Sequence, residues 1–173
     1  MWELLCLLWV LLFQLSQSHY LKTGGLKPKP RISQVARGQP DKNMKVLFIC
    51  QGNVARSQMA EGYYNHFTKT NDATSAGVSD TAYKKYPRPV DEVVQVMTEE
   101  GIDVSEKKVK KLTQEMVDNA EKIFVLCDKE MCPAFLLDSS KVTFWPIEDP
   151  YETSVDNFRK IRDLIKSKIK SII

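Results

Sequence analysis

A cysteine, five intervening residues, an arginine and a serine stand together at Cys50-Gln51-Gly52-Asn53-Val54-Ala55-Arg56-Ser57. Gly52 and Asn53 both tolerate unusual backbone angles. A loop of this kind can wrap so that successive backbone N–H groups, from Gln51 through Ser57, aim at one centre. A helix beginning at its end adds the positive pole of its dipole. The product is a concave site for a dianion with Cys50 at its floor, and the same field favours thiolate over thiol. Arg56 can fork onto two oxygens of a bound phosphate, with bonds that strengthen as charge spreads in the transition state. The Ser57 hydroxyl can donate to the sulfur and help it leave in a second step. A lone Cys-x5-Arg is more often a buried free cysteine beside a capping serine. The strand before it, Gly-Asn inside it and the helix after it favour the anion site here.

Attack by sulfur expels an alkoxide or phenoxide that needs a proton. Asp149, in Glu148-Asp149-Pro150-Tyr151, is the candidate acid, and later the base that activates water. Pro150 restricts the Asp149 backbone toward an extended shape. An Asp-Pro pair alone is usually a turn, so its place in the fold has to carry the assignment. Tyr151 either walls the pocket and stacks on an aromatic substrate or is a partly exposed loop tyrosine.

The surrounding elements can be read from hydrophobic period. Val46 to Ile49 is a continuous apolar run, typical of a strand covered on both faces. Ser57 to Thr70 reads as a helix with Met59, Tyr63 and Phe67 on one face and His66 on the exposed side. Ala73 to Val78 is a second strand. Val90 to Glu100 is an amphipathic helix with Val90, Val93, Val94 and Met97 inward, stopped by Gly101. Thr113 caps a shorter helix to Ala120. Lys122 to Cys127 and Lys141 to Trp145 give two more strands. A last helix starts near Ser154 with Val155, Phe158, Ile161, Leu164, Ile165 and Ile169 on one face. Alternation of this kind predicts an α/β fold, a parallel sheet with helices on both faces. Sites then form beyond the carboxyl ends of the strands, where Cys50, Cys127 and Asp149 would converge on one rim.

The 173 residues suit one domain of ordinary size, and a net charge of +3 with no basic stripe does not favour nucleic acid. Cysteines at 6, 50, 127 and 132 are too irregularly spaced for a disulfide-stapled module. Cys127 and Cys132 lack the further ligands that zinc would need, so no metal is expected. Residues 1–43 differ from the rest: an apolar run from Leu4 to Phe13 precedes a Gly/Pro-containing stretch rich in Lys and Arg that reads as linker. The run follows an acid, Glu3, where a signal peptide carries a base, and it is short for a spanning helix. Translation from Met44 would give a complete domain, so a cytoplasmic protein is expected. Membrane anchoring or export would follow only if the extension is a genuine targeting segment.

Residues 44–173 resemble the low-molecular-weight protein tyrosine phosphatases and the related thioredoxin-coupled arsenate reductases. The likeness lies in Val46-Leu47-Phe48-Ile49-Cys50-x-Gly52-Asn53-x-x-Arg56-Ser57-x-x-Ala60-Glu61, in Ser75-Ala76-Gly77, in Gly101-Ile102-Asp103 and in Asp149-Pro150. It implies a four-stranded parallel sheet with the phosphate-binding loop after the first strand. It also implies Cys50 as nucleophile, Arg56 on the oxyanion, Asp149 as acid and base, Asn53 and Ser57 as loop supports, and no cofactor or metal. Ala55 stands where many of the phosphatases carry a second cysteine. Cys127 and Cys132-Pro133 stand where the reductases carry the pair that relays a disulfide outward, at a shorter spacing. Phosphomonoester hydrolysis, with a phosphorylated protein or small phosphomonoester as substrate, is the leading expectation. Arsenate reduction through Cys50, Cys127 and Cys132 with a thioredoxin-type reductant is the alternative, and a non-catalytic phosphate-binding module is a further one.

Overall fold

A computed structural model describes residues 45–173; the readings made of residues 1–43 and of Met44 lie outside the described residues. Four strands form one all-parallel sheet in the order β2-β1-β3-β4. They are β1 (Val46–Cys50), β2 (Ala73–Gly77), β3 (Lys122–Val125) and β4 (Val142–Phe144). The helices are α1 (Arg56–Thr68), α2 (Ala82–Lys85), α3 (Asp91–Thr98), α4 (Gln114–Asn119), α5 (Ala134–Leu137) and α6 (Val155–Lys170). A single 3-10 turn, Lys129–Met131, lies between β3 and α5.

β1 is buried along its whole length, which is why its sequence is apolar at every position. Its alternate side chains enter two different cores. Val46, Phe48 and Cys50 pack with residues of α1, α3 and α6, while Leu47 and Ile49 pack with residues of α4 and α5. The sheet is therefore covered on both faces, as the alternation of elements predicts. Chain order reverses at β1, with β2 on one side and β3 on the other, so Cys50 ends the strand at the switch point.

Local signals act where the sequence places them. The Thr113 side chain accepts from the Met116 amide and starts α4, and that of Ser154 accepts from the Asn157 amide and starts α6. Gly101, at φ 71°, turns the chain after α3, and the Ile102 amide reaches back to the Met97 carbonyl.

Two side-chain assignments are corrected. Leu164 is 44% exposed and is not on the inner face of α6. Phe158, Ile161, Ile165 and Ile169 form that face, and Arg162 is buried beside them. Arg162 Nη1 donates to the Val96 carbonyl at 3.0 Å and to Glu99 at 2.8 Å, which satisfies the charge where it enters the interior. On α3, Val96 joins Val93 and Met97 in the core, and Val90 and Val94 are only partly buried. His66 is exposed, as read.

Phe158, 2% exposed, is the aromatic that α6 adds to the larger core. Phe158→Ala is expected to lower stability by about 3–5 kcal/mol, read as a fall in urea midpoint at unchanged m-value.

Candidate active site

The loop from Cys50 to Arg56 is tied into place largely by its carbonyl groups. The Val78 amide donates to the Cys50 carbonyl, that of Ser79 to Gln51, and that of Val90 to Val54. Among the described residues, the amides of Gly52, Val54 and Ala55 take no acceptor. The loop thus keeps donors in reserve for an anion. Cys50 itself is 2% exposed, so its sulfur is reached only from within the loop. The Asn53 amide donates to Cys50 Sγ at 3.2 Å, and Ser57 Oγ lies 3.0 Å from it. α1 starts at Arg56, whose side chain is buried with its loop.

Asn53 adopts φ 56°, the left-handed conformation that asparagine tolerates. Its Nδ2 donates to Ser57 Oγ at 2.9 Å and to Ser75 Oγ at 2.8 Å. Its Oδ1 accepts from the Lys110 amide at 2.8 Å and from Gln58 Nε2 at 3.2 Å. A backbone amide can only donate, so the Lys110 bond fixes which end of the Asn53 side chain is oxygen. Ser75 Oγ in turn donates to Glu61 at 2.5 Å, and Glu61 is paired with Lys107.

Gly77 lets this assembly close. A Cβ built there would lie 2.8 Å from the Gly52 carbonyl carbon and 2.9 Å from the Asn53 nitrogen. The same residue bonds to the segment before α4: its amide donates to the Lys110 carbonyl and its carbonyl accepts from the Leu112 amide.

Arg56 is held rigidly. Nη1 donates to the Ile147 carbonyl at 2.7 Å and more weakly to that of Leu126 at 3.4 Å, and Nη2 pairs with Asp149. Nε is buried and has no partner among the described residues, a donor suited to an oxygen of a bound oxyanion. The structure therefore brings Cys50, Arg56 and Asp149 to one rim, as the order of elements predicts. Asp149 is fixed further by the Tyr151 amide, which donates to its Oδ1 at 3.2 Å.

Two cavities meet at Asp149. One, of about 310 Å³, is lined by Gln51, Arg56, Cys127, Asp128, Met131 and Asp149. The other, of about 330 Å³, is lined by Gln51, Gly52, Val54, Lys85, Tyr86 and Tyr151, with Asp149 between the two. Tyr151 is partly exposed and bridges to Tyr86, hydroxyl to hydroxyl at 2.7 Å. Lys85 draws the Tyr86 phenol down from its ordinary range, and the bond to Tyr86 pushes that of Tyr151 up.

Cys127 lies two residues beyond the end of β3, not within the strand. Burial, and then the neighbouring sulfurs of Cys132 and Cys50, push its thiol up to about 12, with Arg56 pulling the other way. Cys132 caps the 3-10 turn, is half-buried, and donates weakly to the Asp128 carbonyl at 3.7 Å. Burial raises its thiol as well, with the neighbouring Cys127 pulling the other way. Cys132 packs against the buried cluster that contains Cys127.

Gln58, Glu61, Lys107, Lys110 and Tyr86 belong to the site's surroundings; of these Glu61 stands in the motif that carries the resemblance, without an assigned role, and Lys107, Lys110 and Tyr86 were not singled out from the sequence. Ser75-Ala76-Gly77 carried a signal, as a recurring motif without an assigned role. Among the described residues no group of three or more His, Cys, Asp or Glu side chains could hold a metal ion.

Residues 45–173 match the family model described as low molecular weight phosphotyrosine protein phosphatase. The chain belongs to that family. Its relatives carry two different names. An arsenate reductase of Halalkalibacterium halodurans is 34% identical over 139 residues, 75% of this chain and 95% of that protein. The low molecular weight protein tyrosine phosphatase of T. tengcongensis has a similar structure, with TM-score 0.63 and 27% identity over 75% of this chain and 97% of that one. An arsenate reductase from Archaeoglobus fulgidus gives TM-score 0.62 and 30% identity over 74% and 98%. Membership makes this chain a cysteine-based enzyme of the family, and the fold and loop agree.

Gly77→Ala is expected to weaken binding of inorganic phosphate at least about tenfold in a calorimetric titration, since the loop must shift away from a new Cβ. A second expectation concerns alkali. The folded protein holds the Cys127 proton more tightly than the unfolded chain, so stability present below pH 9 is lost as pH rises toward the folded value of about 12. Between pH 9 and 11 the wild type should lose about 2 kcal/mol more than Cys127→Ala, compared by urea unfolding at each pH.

Proposed function

We propose that residues 45–173 form the catalytic domain of an arsenate reductase that works through a relay of three cysteines, with Cys50 as nucleophile. The observation that carries this reading is the setting of Cys127. It lines the same cavity as Arg56 and Asp149, and its thiol responds to the sulfurs of both Cys50 and Cys132. The name shared by the relatives from Halalkalibacterium halodurans and Archaeoglobus fulgidus supports it. A hydrolase has no use for such a thiol.

Cys50 thiolate attacks arsenic(V) held by the loop amides and Arg56. A sulfur–arsenic bond forms, an arsenic–oxygen bond breaks, and Asp149 protonates the departing oxygen, which leaves as water. Cys127 then passes its proton to the Asp149 carboxylate and attacks Cys50 Sγ. The disulfide forms as the sulfur–arsenic bond breaks, its electron pair stays on arsenic, and arsenic(III) is released as arsenite. Cys132 gives its thiol proton to solvent water and attacks Cys127 Sγ; the Cys127–Cys132 disulfide forms as the Cys50–Cys127 bond breaks, and Cys50 leaves as thiolate. A dithiol protein of the thioredoxin class reduces the bridge between Cys127 and Cys132, which requires a reducing compartment such as cytoplasm.

Phosphomonoester hydrolysis is a second reading, supported by the cavity between Val54, Tyr86 and Tyr151, which has room for an aromatic leaving group beside Asp149. In that reaction Asp149 protonates the leaving oxygen and then activates water against the cysteinyl-phosphate. Both reactions begin with the same displacement by Cys50, so one assay pair separates them. Wild type should reduce arsenate over many turnovers with thioredoxin, thioredoxin reductase and NADPH. Cys127→Ser and Cys132→Ser should each lose at least about 100-fold of that rate yet hydrolyse an aryl phosphate within about twofold of wild type. Cys50→Ser should lose both activities. Aryl phosphate turnover without sustained arsenate reduction in the wild type would make the protein a phosphatase.

A further inference from the structure

We propose that Asp128 and Glu148 form an electrostatic filter over Cys127, which keeps anionic low-molecular-weight thiols and disulfides from this sulfur while admitting neutral and cationic ones. The inference rests on the relay reading and names what the relay excludes, so that the disulfide between Cys50 and Cys127 is left to Cys132.

The need for a filter follows from space. Cys127 is 1% exposed, yet it lines a cavity of about 310 Å³, room enough for a small thiol to reach it. A thiolate entering there would attack Cys127 Sγ, form a mixed disulfide and release Cys50 as thiolate, so that Cys132 is bypassed. The charged residues lining this cavity are Arg56, Asp128, Glu148 and Asp149. Arg56 and Asp149 are paired with each other, which leaves the two remaining carboxylates to set the sign of the field. Among the described residues neither Asp128 nor Glu148 forms an ion pair. Nor is Asp128 spent on structure: it stands at the N-cap of the 3-10 turn, yet its side chain makes no capping bond. Lys129, next in the chain, does not line the cavity.

Depth decides the order of encounter. Asp128 and Glu148 are exposed while Cys127 and Arg56 are buried, so an entering molecule meets the carboxylates first. Protein walls of low dielectric focus such a field along a cleft. The cavity on the other side of Asp149 has the opposite character. Lys85 lines it, as do Gly52 and Val54, whose amides take no acceptor among the described residues, and its one carboxylate is the Asp149 already paired with Arg56. An oxyanion is thus drawn to the loop from the Lys85 side and turned away from the Asp128 side. The two approaches to one site differ in sign, and Cys127 lines only the one that repels anions.

The test is the rate at which two methanethiosulfonates of similar size, one bearing a trimethylammonium group and one a sulfonate, label Cys127 in the purified full chain. Peptide mass mapping at early times counts Cys50, Cys127 and Cys132 separately, and each rate is divided by that of the same reagent with a free small thiol. At low salt Cys127 should then react at least about tenfold faster with the cationic reagent, and Cys50 should not share the preference. Raising the ionic strength to about 0.5 M should cut the ratio at least about threefold. The double variant Asp128→Asn, Glu148→Gln should bring it to within about threefold of unity at low salt, and each single variant should give part of the change. A ratio near unity in the wild type, a ratio unchanged in the double variant, or an equal preference at Cys50 would overturn the proposal. Failure of both reagents to label Cys127 in the folded chain would show the cavity closed to small molecules and overturn it as well. Absence of sustained arsenate reduction would remove the relay reading and leave the Cys127 ratio as measured, so the two fail separately.

Discussion

Asn53 is the point through which the rest of the site is oriented. Its backbone occupies the left-handed region and its amide donates to Cys50 Sγ, while its side chain bonds Ser57, Ser75, Gln58 and the Lys110 backbone. Four separate segments are thereby brought into register around one buried side chain: the loop, α1, β2 and the stretch before α4. Such a network rigidifies when every member is satisfied and is costly when one is not. Here the Lys110 amide removes the one freedom an asparagine side chain has, the exchange of its oxygen and nitrogen. Gly77 serves the same convergence sterically, because β2 can approach the loop so closely only where it has no side chain.

Around this fixed centre the chemistry is graded by depth. Cys50 and Cys127 are almost fully buried and Cys132 is half-buried, so the three thiols run from the floor of the loop toward the surface. Arg56 spans the same depth, anchored on the Ile147 carbonyl and meeting Asp149 at the rim. The carbonyl contacts come from the ends of β3 and β4, so the sheet itself aims the guanidinium. A planar donor held in this way can recognise an oxyanion without first having to be ordered.

Much of this was legible in the sequence. Cys-x5-Arg-Ser between an all-apolar strand and a helix specifies a loop, and the order of elements places Asp149 on the same rim. Thr113, Ser154 and Gly101 announce element ends through local chemistry that needs no tertiary context. What could not be read is what depends on distant partners. Glu61 stands in the motif that carries the resemblance, yet its partner Lys107 lies 46 residues away and looks unremarkable in its own loop. Leu164 and Arg162 show the same limit in reverse. Apolar spacing put Leu164 inward, whereas Glu99 and the Val96 carbonyl, on a different helix, supply partners that let an arginine take the buried place. The 3-10 turn between Cys127 and Cys132 is likewise invisible as a hydrophobic period.

That turn also bears on reversibility. A bridge between Cys127 and Cys132 would close a short ring, and the entropy such a ring removes from the unfolded state grows only slowly with its length. For six residues it comes to roughly 2 kcal/mol, against about 3 for a 15-residue loop. Closing and opening that bridge would therefore shift the stability of the domain by a modest but measurable amount.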